Sequence, residues 1–238
     1  MTAEPGVRVD RRVRRRHETI SEVLDVALEV MAEQGVAGLS LGEVARRMGI
    51  RPPSLYVYFD SKNALYDAIF ARGWRELLQA MERLQGRLDA TTDLAAYLLE
   101  TGQAFVRWGV EHPAYSQLMF WRPVPSYEPS AEAYAPAVEV LARGRRMFED
   151  LRGRGLFRAD TDVDDLLRAW TVLTSGVFTQ QMANAPDEPF ESGSFTAALP
   201  ELVAMYAAHY GPGTRDGAHD EYDADAQGHR RCAPDLRT

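Results

Sequence analysis

A single cysteine, Cys232, stands among the 238 residues of this chain, and a single lysine, Lys62, among its 27 basic side chains. One thiol excludes an internal disulfide framework and leaves redox chemistry without a partner. No apolar run approaches the ~20 residues that cross a bilayer, and the first residues lack the apolar core of a signal peptide. No membrane association and a cytoplasmic location are expected. Glycine-rich phosphate loops are missing, and "ESGSF" at 191–195 is not a nucleophile elbow. Five histidines, at 17, 112, 209, 219 and 229, show none of the spacings of a zinc site. His219, His229 and Cys232 could hold a metal only loosely. No cofactor, metal or catalytic residue is expected. An enzyme on a helical fold, the alternative reading, would need an acid/base pair that the residues do not show.

What is present is a composition of 45% hydrophobic and 26% charged residues, enough for an adequate core. The net charge is −8, but it is unevenly spread. Residues 1–62 hold ten basic against nine acidic side chains (10 − 9 = +1), and the remainder holds 17 against 26 (17 − 26 = −9). "RRVRRRH" packs five arginines into residues 11–16, and Arg46, Arg47, Arg51 and Lys62 form a second basic group. Screening over ~8–10 Å makes such local fields the ones a phosphate meets.

Periodicity predicts an all-α protein with about nine helices and no alternating strand. Residues 1–16 read as a disordered basic arm. A helix follows from His17, with Ile20, Val23, Leu24, Ala27, Leu28 and Met31 on one face and Gly35 as its stop. In "LSLGEVARRMG", Ser40 stands three residues before Glu43, the spacing of a capping box. Gly49 turns the chain into "RPPSLYVYFDSKNAL", where proline is tolerated in a first helical turn. Leu55 and Phe59 make the buried stripe, so Tyr56, Val57 and Tyr58 fall off it. A long helix is predicted from about Ser61 to Leu88, with Leu65, Ile69, Leu77, Met81, Leu84 and Leu88 on its stripe. Further helices are expected near 92–110, 113–121, 131–153, 162–184 and 194–210, with Asp162, Asp164 and Asp165 at the start of the eighth. The domains are then the arm at 1–16, a three-helix helix-turn-helix at 17–62, a larger helical domain at 63–210 and a disordered tail at 211–238.

A helix, a glycine turn and a second short helix is the pattern that enters a DNA major groove N-terminus first. Pro52, Pro53 and Val57 can then meet base edges, while tyrosine hydroxyls can donate to phosphates. Arg14, Arg15 and Arg16 in the arm can track phosphates or an adjacent minor groove.

"ISEVLDVALEVMAEQGVAGLSLGEVARRMGIRPPSLYVYFDSKNALYDAIF", residues 20–70, resembles the DNA-binding region of the tetracycline-repressor (TetR) family of bacterial transcription regulators, without a gap. The resemblance implies that Ser54, Tyr56, Tyr58 and Lys62 hold phosphates and that Arg51, Pro52, Pro53 and Val57 face bases; Ser40 joins the DNA-facing set. Leu41-Gly42 stands where relatives often carry hydroxyl or basic groups, and Tyr58 where histidine is frequent. "FVRWGVEHPAYSQLMF" and "AWTVLTSGVFTQQMAN" are similar to a Trp…His-Gly subtype of the family's C-terminal half, with Ser175 in the histidine place. The family pairs its eighth and ninth helices with those of a second subunit, which implies a homodimer on a palindromic double-stranded DNA operator. The apolar content of 166–183 and 195–210, including Leu166, Leu167, Trp170, Leu173, Val177, Leu199, Leu202, Val203 and Tyr206, exceeds what one core face needs.

A ligand-responsive repressor is therefore expected, with a regulator that activates or lacks an effector left open. Its small-molecule pocket should lie among helices 4 to 8, lined by some of Phe105, Trp108, Tyr115, Met119, Tyr134, Trp170, Thr174, Phe178 and Gln181. Those side chains favour a neutral or aromatic lipophilic ligand, although Glu100 and Glu111 could welcome a cation. The fourth helix, read as the only link between the halves, should carry the coupling.

Overall fold

A computed structural model describes residues 5–88 and 93–212, with side chains for 11–83 and 93–212. Among the described residues the chain is helical throughout: α1 (Pro5–Gln34), α2 (Leu41–Arg47), α3 (Pro52–Leu55), α4 (Lys62–Leu88), α5 (Leu94–Glu111), α6 (Pro113–Phe120), α7 (Ala131–Gly153), α8 (Val163–Asn184) and α9 (Leu199–Tyr210), with 3-10 turns at Val36–Gly38 and Thr196–Ala198. No helix among the described residues is long and apolar enough to cross a membrane.

The helix stops are local. Gly35 and Gly49 take φ of 77° and 68°, values that glycine adopts without a Cβ penalty. Several starts are capped: Ser61 accepts from Ala64 N at 3.1 Å, Asp93 from Ala96 N at 3.1 Å, and Ser130 from Ala133 N at 3.2 Å. Asp162 caps α8 through Asp164 N at 2.7 Å, which gives the predicted acidic cluster its role.

Two apolar cores organise the chain. The first joins Val23, Ala27 and Met31 of α1, Val44 of α2, Leu55 and Phe59, Leu65 and Ile69 of α4, and Tyr115 and Met119 of α6. The second joins Leu98 and Val106 of α5, Phe148 of α7, Trp170 and Phe178 of α8, and Val203 and Tyr206 of α9. Between them α4 packs against α5, α6 and α7.

Four expectations need correction. The arm expected to be disordered continues α1 back to Pro5; arginine is a good helix former, and Arg14 pairs with Glu18 one turn on at 3.6 Å. The capping box at Ser40 does not form. The fourth helix is not the only link between the halves, because α6 also packs on α1 and on the Val36–Gly38 turn. Most of the apolar surplus assigned to a dimer face is used inside the subunit: Leu166, Trp170, Val177, Leu199, Val203 and Tyr206 are all buried in the second core. Val172 and Met205 remain outward on α8 and α9, 67% and 61% exposed. Residues 1–4, the tail from 213 with His219, His229 and Cys232, and the side chains of Leu84 and Leu88 lie outside the described residues.

Candidate functional site

The turn from α2 into α3 presents one continuous polar and aromatic face. Leu55 and Phe59 are buried, whereas Arg51, Pro52, Pro53, Ser54, Tyr56 and Val57 are exposed and Tyr58 is half-buried. At 53% and 68% exposure, Tyr56 and Val57 are not core residues, so the rings surplus to the hydrophobic stripe face outward. The helix itself is short: α3 ends at Leu55, and Tyr58 N and Phe59 N close the following turn on Leu55 O at 2.9 and 3.0 Å.

Charge pairing sorts the basic residues around this face. The Glu43 carboxylate is gripped by Arg46 through Nε and Nη2 and by Arg47 through Nε, each at 2.8 Å. Charge-assisted, partly bidentate bonds outcompete the neutral backbone N–H that a capping box would offer. Those bonds, from Arg46 first and then Arg47, lower the Glu43 pKa from 4.5 to about 2. Arg47 also reaches Glu33 of α1 through Nη1 at 2.8 Å and Nη2 at 2.5 Å, which ties α2 to the end of α1. Ser40 is left exposed, with no cap bond on its hydroxyl. Lys62 donates from Nζ to Ala37 O at 2.9 Å and lies 5.3 Å above the Tyr66 ring. It anchors the fold as well as lying where a phosphate contact was expected.

The basic stretch of α1 borders the same face. Arg16 stacks over the Tyr58 ring at 5.2 Å. Arg11, Arg12, Arg15, Arg16, Thr19, Val57 and Tyr58 line an open cleft of about 610 Å³. Arg15 and Arg16, with Arg14 beside them, are thereby presented on a helix rather than on a loose strand of chain.

A second, apolar cavity of about 120 Å³ lies between α4, α5, α7 and α8. Trp74, Leu78 and Met81 of α4, Phe105 of α5, Phe120 of α6, Phe148 of α7 and Trp170 of α8 form much of its wall. Three hydroxyls border it, and each is spent on its own helix: Thr101 on Tyr97 O and Thr174 on Trp170 O, both at 2.9 Å, and Thr171 on Leu167 O at 2.8 Å. Arg143, also on the wall, pairs with Glu82 at 2.6 Å.

Of the nine residues expected around a pocket, Phe105, Trp170 and Thr174 line this cavity. The other six stand elsewhere. Trp108 stacks on His112 at 4.8 Å, and Tyr115 and Met119 press on Gly73 of α4, where an added Cβ would sit 2.7 and 2.6 Å from them. Tyr134 stacks on Phe70 and is 42% exposed. Phe178 is fully buried, 5.8 Å from Phe105 and 5.2 Å from Phe120. Gln181 is a buried loop anchor that accepts from Phe195 N at 2.9 Å and donates to Ala185 O at 2.7 Å. Glu100 and Glu111, the cationic alternative, are exposed and off the wall. Phe120 belongs to the ring-rich stretch "HPAYSQLMFW", whereas Trp74 is not singled out by the sequence because it reads as one more apolar position on a connecting helix. Among the described residues no group of three or more His, Cys, Asp or Glu could hold a metal ion.

An outward recognition turn on a three-helix module, joined by one long helix to a helical domain with an apolar cavity, defines a helix-turn-helix protein with a separate cavity-bearing half. Two family profiles match the chain: "Bacterial regulatory proteins, tetR family" over residues 23–69, and "Tetracyclin repressor-like, C-terminal domain" over 98–199. The chain belongs to the tetR family of bacterial regulatory proteins.

The HTH-type transcriptional regulator YobS of Bacillus subtilis is 30% identical over 95 residues, 39% of this chain and 47% of its own length. The HTH-type transcriptional regulator Rv1816 of Mycobacterium tuberculosis is 25% identical over 159 residues, 66% of each chain. The chain thus spans about half to two thirds of the length of these relatives. In fold it resembles the TetR family transcriptional regulator PfmR of Thermus thermophilus, with a TM-score of 0.61 and 19% identity over 78% of this chain and 97% of that one. It also resembles FadR of Bacillus subtilis, solved in complex with stearoyl-CoA, with a TM-score of 0.61 and 14% identity over 79% and 97%.

Proposed function

We propose that this chain is a ligand-responsive transcriptional repressor that binds a palindromic DNA operator as a homodimer and is released by a small, neutral, lipophilic effector. One observation carries the reading: α4 holds both functional regions. At its start Lys62 and Tyr66 bond to the Val36–Gly38 turn that precedes α2, and farther along Trp74, Leu78 and Met81 form the cavity wall. Eight residues separate Tyr66 from Trp74, about 12 Å of continuous helix. A ligand that favours one position of α4 over another therefore shifts the recognition turns with it, provided it binds the two states unequally. The packing of α6 on α1 offers a second path.

In this reading Arg51, Pro52, Pro53 and Val57 meet base edges, while Ser40, Ser54, Tyr56, Tyr58 and Lys62 reach phosphates together with Arg14, Arg15 and Arg16. Pairing through α8 and α9, over Val172 and Met205, sets the two recognition turns about 34–36 Å apart. A cytoplasmic location accords with such a role. The C-terminal half is assigned to the Trp…His-Gly subtype on Trp170 and Ser175-Gly176. An enzyme is the weaker reading, because the cavity wall is apolar and its one charged side chain, Arg143, is paired with Glu82.

The test is a mobility shift with genomic fragments selected by the purified protein. Sedimentation should give a dimer, the selected fragments should share a palindrome, and Tyr56→Ala should lose the shift while remaining folded. Selection of unrelated sequences, or a monomer that binds as tightly, would overturn the proposal.

A further inference from the structure

One face of α1 builds the basic cleft beside the recognition turn. At about 100° per residue, Arg11, Arg12, Arg15, Arg16 and Thr19 fall within an arc of about 140°, and all five line the cleft with Val57 and Tyr58. The four arginines are exposed, and no carboxylate lines the cleft. None of the four is ion-paired among the described residues. Arg14 lies off the arc, where Glu18 pairs with it at 3.6 Å one turn on. Like charges one turn apart repel, and Arg11 with Arg15 and Arg12 with Arg16 are two such pairs. A helix that gathers unrelieved positive charge on the wall of a cleft is complementary to an anion.

The shape of the cleft selects the anion. From Arg11 to Thr19 the wall runs about 12 Å along the helix, and the open space measures about 610 Å³. A lone phosphate would meet one turn of that wall. Phosphates of one DNA strand recur every ~3.4 Å along the duplex, so the wall meets about three of them. Thr19 donates its proton to Arg15 O at 2.9 Å, which leaves the guanidinium groups as the donors. The facing wall, Val57 and Tyr58, belongs to the outward turn itself, and Arg16 joins the two walls by lying over the Tyr58 ring at 5.2 Å. Stacking on a ring face leaves the N–H edge of a guanidinium available to a phosphate.

We infer that this cleft is a second DNA site, distinct from the bases met by α3, which grips about three successive phosphates of one strand through Arg11, Arg12, Arg15 and Arg16. The inference rests on the reading of the chain as a DNA-binding regulator and refines it. Arg11 and Arg12 join the residues that contact phosphates, and Arg14, held by Glu18, leaves them.

Arg11→Ala and Arg14→Ala make the test in the full chain, because each removes one positive charge from the same exposed helix and alanine keeps the helix. On the operator selected from genomic fragments, Arg11→Ala should weaken binding about tenfold and Arg14→Ala less than about twofold. In ethylation interference, the unmodified protein and Arg14→Ala should be blocked at the same phosphates. Arg11→Ala should lose sensitivity at one or more neighbouring phosphates in each half-site. Equal losses for the two variants, or an interference pattern that Arg11→Ala leaves intact, would make the arginines a diffuse field and overturn the inference while the operator reading stands. If no shared operator is selected, that reading falls and a mixed-sequence duplex decides the cleft. The slope of log K against log salt should then shrink by about 0.9 per protomer for Arg11→Ala and by much less for Arg14→Ala, and equal changes would overturn the inference. A protein that binds no duplex at low salt overturns both.

Discussion

The hydroxyl of Tyr66 donates to the carbonyl oxygen of Val36 at 2.7 Å, with both residues buried. This bond fastens the first turns of α4 to the 3-10 turn that leads into α2, and Lys62 adds a second clasp one residue along, on Ala37 O. Tyr66→Phe keeps the ring and removes the bond, while Val36 O keeps Leu39 N at 3.3 Å. The expected cost is about 1 kcal/mol, a fall in Tm of about 2–4 °C for a chain of this size. Burial also pushes the Tyr66 phenol from 10 up to about 12. A raised folded pKa gives stability that is whole below pH 10 and is lost as pH climbs toward 12. The gap between wild type and Tyr66→Phe should therefore narrow across that window. Tyr115, Tyr127 and Tyr206, pushed higher by burial, will keep both proteins sensitive to alkali. A gap that stays constant from pH 8 to 12 would contradict the assignment.

Acid should loosen the cluster of Glu43, Arg46 and Arg47 on α2. The Glu43 carboxylate sits at about 2, held there by Arg46 and Arg47. A depressed folded pKa contributes stability above the ordinary value of 4.5 and loses it as pH falls toward 2. Glu43→Gln should thus have a lower urea midpoint than wild type at pH 7, and the difference should close by pH 2.5. An equal difference at both pH values would show that packing, not the carboxylate charge, is what the variant removes.

Arg11, Arg12, Arg15 and Arg16 are predicted to act as a rigid phosphate-facing surface. Replacing all four by alanine preserves helix propensity. DNA affinity should fall for every sequence tested, and the slope of log K against log salt should shrink by up to about 3–4, at ~0.9 for each phosphate no longer neutralised. An unchanged slope would make this part of α1 a solubilising extension.

Gln181→Leu should destabilise the protein by about 1–3 kcal/mol, since it strips the acceptor from one buried and one part-buried backbone N–H. Those are Phe195 N at 2.9 Å and Thr196 N at 3.2 Å. Gly193 crosses so close that an added Cβ would lie 2.6 Å from Gln181 Oε1, so the loop cannot re-form around leucine without moving. Chemical denaturation measures the loss. A variant of near-native stability with altered ligand response would instead return Gln181 to the ligand site.

Local chemistry alone determined much of this chain. Gly35 and Gly49 set the stops on either side of α2, Pro52-Pro53 opens α3, and the i, i+3, i+4 rows of α1 and α4 mark their buried faces. All of these are decided within a turn or two. The outward direction of Tyr56 and Val57 follows as well, because Leu55 and Phe59 already fill the one stripe a single turn can bury. Tertiary structure decided the rest. Glu33 of α1, fourteen residues away in the chain, holds Arg47 from the side opposite Glu43. Trp170 and Val177, counted toward a partner surface, face this subunit's own α5, α7 and α9. Gln181 and Trp74 could not be told apart from a ligand contact and a core residue in one dimension. Periodicity reports that a face is buried, not what covers it. A cavity forms where side chains from separate helices fail to meet, and no segment of sequence contains that gap.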